Sequence, residues 1–269
     1  MVSNPANPLK KPPSELLTRV IVGVGLVAAA VTALIIGDHN IGRHALWLLV
    51  VFMSLGILSE WAGLTGRLAN KRLALYALSV PLAIMSYWAA GPSFLALGLL
   101  LGAAMFIAVF DRSIKLSLGI FYAGLPALSV LYLRGIDNGL LILFWTLALV
   151  WATDIGAYFS GRAIGGPKLA PTYSPNKTWA GLIGGVIVTA LFSFALHVYF
   201  QLPFRLVLLS IPLAVLAQMG DLFESQMKRR AGVKDSGTIF PGHGGVMDRL
   251  DGLIPVAPVV AIIILFGSQ

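Results

Sequence analysis

Residues 204–252 read FRLVLLSIPLAVLAQMGDLFESQMKRRAGVKDSGTIFPGHGGVMDRLDG. Apolar side chains dominate 206–217, and then the character changes abruptly. Five of the chain's 11 acidic residues follow within Gly220–Gly252: Asp221, Glu224, Asp235, Asp248 and Asp251. Lys228, Arg229, Arg230, Lys234, His243 and Arg249 stand among them. If the apolar run is a helix that continues past residue 222, Asp221, Ser225 and Lys228 share one face. The pattern reads as a helix leaving lipid and entering a polar site. Residues 234–245 must form a loop, because Gly237, Pro241, Gly242, Gly244 and Gly245 forbid a regular helix. Glycines around His243 let backbone N–H groups approach a phosphate closely.

Outside this block the chain is apolar. It has 269 residues, 58% hydrophobic and 11% charged, with a mean hydropathy of +0.87. Soluble domains are nearer 45–50% apolar, and here the excess lies in long runs. The sequence therefore predicts an all-α, polytopic integral membrane protein. Nine apolar segments are read at 20–36, 45–64, 73–90, 94–110, 114–133, 139–159, 179–200, 204–222 and 252–267. Residues 1–19 form a polar, Pro-containing tail. Residues 20–133 make an N-terminal transmembrane part, and 134–269 a C-terminal catalytic part. The run at 20–36 follows a polar leader without a clear cleavage site, so it reads as a span rather than a removed signal.

Lys and Arg set the orientation. Of the 19, only Arg43, Arg134 and Arg205 fall in the second set of alternating loops. The bias predicts a cytoplasmic N-terminus, a C-terminus outside, and a cytoplasmic polar block. The net charge of +8 fits loops beside anionic lipid or an anionic substrate rather than nucleic acid. The absence of cysteine excludes disulfides, thiolate nucleophiles and Cys-ligated zinc.

Two further patches face the same side as the block. In 153–158, Thr-Asp-Ile-Gly-Ala-Tyr, Asp154 and Tyr158 are i, i+4 neighbours on a helix. In 174–178, Ser-Pro-Asn-Lys-Thr, Ser174 or Thr178 can cap the next helix, and Lys177 beside a helix N-terminus suits an anion. Asp248 and Asp251 are i, i+3 if the last helix begins there, so both could face one ion. One or two carboxylates together with substrate phosphates suit Mg²⁺ better than Ca²⁺. Glu60 is read as a catalytic carboxylate or, in preference, as an ion-pair partner of Lys71 or Arg72. Gly181 and Gly185 mark close helix packing. His39, His44 and His197 stand apart from the block. No Walker A, G-x-S-x-G or H-E-x-x-H motif occurs.

Ser225-Gln226-Met227-Lys228-Arg229, Lys234-Asp235-Ser236-Gly237 and the run from Phe240 to Asp251 together resemble the signature of the phosphatidate cytidylyltransferases, the CDP-diacylglycerol synthases. The patches at 154–158 and 174–178 are also similar to the family. A departure stands at Ala180, where many members carry Glu. The resemblance implies CTP and phosphatidic acid as substrates, CDP-diacylglycerol and pyrophosphate as products, Mg²⁺ as cofactor, and a site on the cytoplasmic face of a bacterial inner membrane. It implies Asp221 and Asp248 as metal ligands, with Asp154 and Asp251 as further candidates. Lys177, Lys228, Arg229, Lys234 and Arg249 would hold phosphates. Ser174, Ser225 and His243 would orient substrate, and Thr178, Asp235, Gly244 and Gly245 complete the site. Membrane lipid is the surrounding partner, and a homodimer is the assembly to test. The competing readings are a CTP-dependent enzyme acting on an isoprenoid lipid, and an ion-coupled transporter using Asp154 and Asp221.

Overall fold

The computed structural model of the chain describes residue 32 and residues 40–240 and 244–267. The segment read at 20–36 (apart from residue 32), His39 and His243 therefore lie outside the described residues.

Among the described residues, nine helices of α type follow in order: α1 (Asn40–Leu64), α2 (Lys71–Ile84), α3 (Phe94–Phe110), α4 (Ile114–Gly135), α5 (Gly139–Ile164), α6 (Trp179–Phe200), α7 (Phe204–Arg230), the single turn α8 (Met247–Leu250) and α9 (Leu253–Gly267). Five of them, α1 and α4–α7, are long and apolar enough to cross a membrane. Large apolar side chains such as Tyr76, Phe94, Phe110 and Leu191 point outward, a surface that suits lipid and not water.

The segment expected at 73–90 is helical only to Ile84. Pro81 lies inside α2 and removes a backbone donor. Residues 85–91 then turn on Ser86, whose carbonyl accepts from the Ala89 and Gly91 amides, while Gly91 takes a positive φ of 66°. At 14 residues, α2 spans roughly 21 Å, short of the ~30 Å hydrocarbon layer.

The expectation of an all-α chain is also corrected. After α5, Gly165 and Gly166 take positive φ and Pro167 follows. The chain cannot continue as a helix, and it forms an antiparallel hairpin of β1 (Lys168–Ala170) and β2 (Ser174–Thr178). Thr178 then caps α6, its Oγ1 accepting from the Gly181 amide at 3.0 Å.

The long helix α4 is the hub, packed against α1, α2, α3, α5 and α9. A second group, α5–α7, meets it through α5 and α9. The α5–α6 seam is the closest approach, as the Gly181–Gly185 spacing predicts. A Cβ on Gly185 would stand 2.8 Å from the Thr153 carbonyl, and one on Gly156 would meet Val188 Cβ at 2.8 Å. Within this seam Trp145 is fully buried, and its indole donates to Ser193 Oγ at 2.9 Å.

Candidate functional site

Two polar clusters lie along α7. The first is built by a wedge. Gly252, in the corner before α9, fits between Val150 of α5 and Ala217 of α7; a Cβ there would come within 2.8 Å of Val150 Cγ1. One helical turn beyond Val150 lies Asp154, and one turn beyond Ala217 lies Asp221. Gly220 lets the Asp251 carbonyl and Pro255 close against α7. Asp154, Asp221 and Asp251 are thereby brought within electrostatic reach of one another and of Lys177.

Lys177 Nζ pairs with Asp221 Oδ2, and Ser225 Oγ donates to Asp221 Oδ1 at 3.3 Å. Gln218 Nε2 donates to Asp154 Oδ1 at 3.2 Å. Asp251 Oδ1 accepts from the Gly252 amide at 2.7 Å. Burial, then the Asp221 and Asp154 carboxylates, push the Asp251 carboxyl up to about 7. Three carboxylates face one ammonium, so the corner carries excess negative charge.

The second cluster fixes the glycine-rich loop. Asp248 Oδ1 accepts from Lys228 Nζ at 2.6 Å. Its Oδ2 accepts from the Gly245 amide at 2.7 Å and from both the amide and the hydroxyl of Ser236 at 2.9 Å. Burial acts to raise the Asp248 carboxyl, but donation from Lys228, Gly245 and Ser236 outweighs it and holds the group at about 2. Lys228 also binds Glu224 Oε1 at 3.1 Å. Glu224 is fully buried, and its second oxygen has no hydrogen-bond partner among the described residues.

These contacts give partners to several residues that the sequence singles out. Lys177 and Lys228 face carboxylates rather than an open anion site. The Gly245 amide, expected to cradle phosphate, is directed at Asp248. Gly244 does need its freedom, with a φ of 80°. The Phe240 amide donates to the Gly244 carbonyl at 3.0 Å, pinning together the positions that flank 241–243. Arg229 reaches the carbonyls of Tyr173 in the hairpin and Val233, at 3.4 and 3.3 Å. Arg229, Lys234, Asp235 and Arg249 are exposed around the clusters, and Ser174 lies half-buried on β2. Tyr158 holds Arg162, its hydroxyl accepting at 2.7 Å.

Glu60 corrects the reading most. Among the described residues it makes no ion pair with Lys71 or Arg72. It is buried and accepts from Val246 N at 2.8 Å, Met247 N at 2.9 Å and Ser236 Oγ at 2.8 Å. Its signal in the sequence was its position as the sole charge within 45–64, where a carboxylate is costly without partners. Gln218 and Tyr122 were also missed. The Tyr122 hydroxyl is buried without a hydrogen-bond partner among the described residues, in electrostatic reach of Glu224 and Asp251. The remaining histidines are structural: His44 stacks on Trp88 with centroids 3.8 Å apart, and His197 Nδ1 lies 2.7 Å from the Leu202 carbonyl.

Among the described residues, no three His, Asp or Glu side chains gather closely enough to make a metal site unaided. The donor set nonetheless fits Mg²⁺. It consists of hard carboxylate oxygens, negative in excess, and Mg²⁺ uses one or two of these with substrate phosphates supplying the rest.

Sequence comparison identifies the family. Residues 17–266 match the model of the cytidylyltransferase family. A phosphatidate cytidylyltransferase of Brucella suis is 38% identical over 251 residues, covering 88% of this chain and 92% of its own. One from Rickettsia bellii is 34% identical over 263 residues, covering 94% and 92%. One from Bacillus subtilis is 38% identical over 163 residues, covering 59% and 61%. Taken with the carboxylate corner and the anchored loop, a match running through nearly every helix places the chain in the cytidylyltransferase family.

Proposed function

We propose that this chain is a phosphatidate cytidylyltransferase, converting CTP and phosphatidic acid to CDP-diacylglycerol and pyrophosphate. The observation that carries the reading is the similarity, over nearly the whole chain, to relatives bearing that name. The chemistry suits the site. A phosphate oxygen of the lipid bonds to the α-phosphorus of CTP, the bond from that phosphorus to the bridging oxygen breaks, and pyrophosphate leaves. A phosphomonoester is largely ionised near neutral pH, so no strong general base is required. The obstacle is repulsion between two anions.

Lys177 and Lys228, each resting on a carboxylate, stand where phosphates can take their place as partners. Arg229, Lys234 and Arg249 form an exposed cationic rim that draws anions inward. Ser225 and Ser174 supply hydroxyls to orient them. Asp221 with Asp248, or with Asp154 and Asp251, would hold Mg²⁺, which when bound neutralises the polyphosphate and the departing pyrophosphate.

In this reading the chain crosses a bacterial inner membrane nine times, with the site facing the cytoplasm. Support comes from the skewed Lys and Arg distribution and from the clustering of Glu60, Lys228 and Asp248 at the end opposite Arg43 and Arg205. The test is simultaneous measurement of pyrophosphate and CDP-diacylglycerol from purified protein with CTP, Mg²⁺ and phosphatidic acid. Stoichiometric formation of both products is expected. Turnover of an isoprenoid phosphate, with none of phosphatidic acid, would replace this reading with its isoprenoid alternative.

A further inference from the structure

We propose that Glu60 is a positioning residue of the site: from α1 it holds Ser236, Val246 and Met247 so that Asp248 faces Lys228. The loop reaches α1 through two adjoining contacts. Gly56, one turn before Glu60, makes room for Val246; a Cβ on Gly56 would stand 2.8 Å from Val246 Cγ2. Glu60 then binds both ends of the loop. Its Oε1 accepts from Val246 N, and its Oε2 from Met247 N and Ser236 Oγ. The same Ser236 hydroxyl lies 2.9 Å from Asp248 Oδ2. A hydroxyl has a single hydrogen, so Ser236 is a shared donor linking the two carboxylates.

The glycines of the loop follow from this arrangement. The nearest atoms a Cβ on Gly237 would meet belong to Glu60, with Oε1 at 2.5 Å and Cδ at 2.8 Å. A Cβ on Gly245 would collide with both Ser236 Oγ and Glu60 Oε2. These two glycines are therefore small because a carboxylate from a distant helix occupies the adjacent space. Aspartate is one methylene shorter and meets these donors less closely, but it keeps two accepting oxygens. In glutamine, either orientation of the amide turns an NH₂ toward a donor.

The inference rests on the proposed reaction only for its activity readout. Amide exchange across 236–247 in substrate-free protein is measured beside kcat and KM. Glu60→Gln should lower kcat at least tenfold, with a smaller change in the KM for CTP. It should speed exchange in 236–247 at least tenfold and leave the α5–α6 seam unchanged. Gly237→Ala should do the same by crowding the carboxylate. Adding Glu60→Asp to Gly237→Ala should recover at least threefold of the lost kcat, because the shorter acid vacates the space the methyl needs. That pair decides the matter even if Glu60→Gln does not fold. Wild-type kcat and exchange in a folded Glu60→Gln protein, or losses in the double variant that simply multiply, would overturn the proposal. If exchange responds as expected while the unaltered protein makes no CDP-diacylglycerol, the substrate reading fails and the positioning role stands.

Discussion

Asp248→Asn separates a charge that organises the site from a polar group that merely fills it. The Asp248 side chain is only 6% exposed, and its carboxyl is held at about 2 against an ordinary 3.8. At ~1.4 kcal/mol per pKa unit, that depression is on the order of 2–3 kcal/mol of native stabilisation. Asparagine cannot retain it, because its NH₂ must point at either the Lys228 ammonium or the amides of Ser236 and Gly245. A loss of that order corresponds to loop opening on the order of a hundred times more frequent. Protection factors across 236–247, read by amide exchange at pH 7, should fall by about that ratio. The pH dependence has a definite sign. A depressed acid stabilises the folded form above its unfolded pKa and loses that contribution as pH falls through the folded value. Wild-type protection should therefore hold above about pH 4, decline toward pH 2, and converge on that of the variant. A variant within threefold of wild type at pH 7, or wild-type protection flat from pH 5 to 2.5, would refute the reasoning.

The other expectations concern the corner, the packing and the topology. Asp221→Asn should remove most turnover while the protein stays folded, and combining it with Asp248→Asn should cost little more; turnover per folded molecule against Mg²⁺ concentration checks this. Because burial and two neighbouring carboxylates raise Asp251, its ionisation opposes folding as pH climbs from about 4 to about 7. Asp251→Asn should therefore raise the thermal midpoint at pH 8 and leave it unchanged at pH 4, and a midpoint that tracks wild type across that range would contradict the assignment. Gly252→Val should cost ~2 kcal/mol or more by overpacking against Val150 and Ala217, read as a lowered thermal midpoint with impaired turnover. A reporter joined after Gln269 should read as outside, and a cytoplasmic signal would end the nine-crossing topology.

The parts of the molecule written in local pattern were legible, and those that depend on distant partners were not. The helices at 94–110 and 179–200 begin and end where the apolar runs do, because Gly91-Pro92 and the Thr178 cap punctuate them. The apolar run ends near 222 while α7 continues to Arg230, so the shared face of Asp221, Ser225 and Lys228 was legible only on the condition of that continuation. The early end of α2 was signalled by Pro81, yet apolar residues continue through the turn and mask it. Glu60 could not be paired from sequence, because its partners lie 176 to 187 residues away. Two of those partners are backbone amides, which carry no residue-type signature. In the same way, a count of lysines and aspartates shows the charge of the polar block but not that Lys177 chooses Asp221 and Lys228 chooses Asp248.

That choice places both ammonium–carboxylate pairs on a single rod. Asp221 and Lys228 are seven residues apart, so they lie on nearly the same face of α7, about 10 Å apart along its axis. The helix runs 27 residues, and the proline inside it, Pro212, precedes both Asp221 and Lys228. A rotation or axial slide of α7 therefore cannot adjust one pair alone. It carries Asp221 relative to Lys177 and Lys228 relative to Asp248 in the same motion, so the hairpin side and the loop side of the site keep common time.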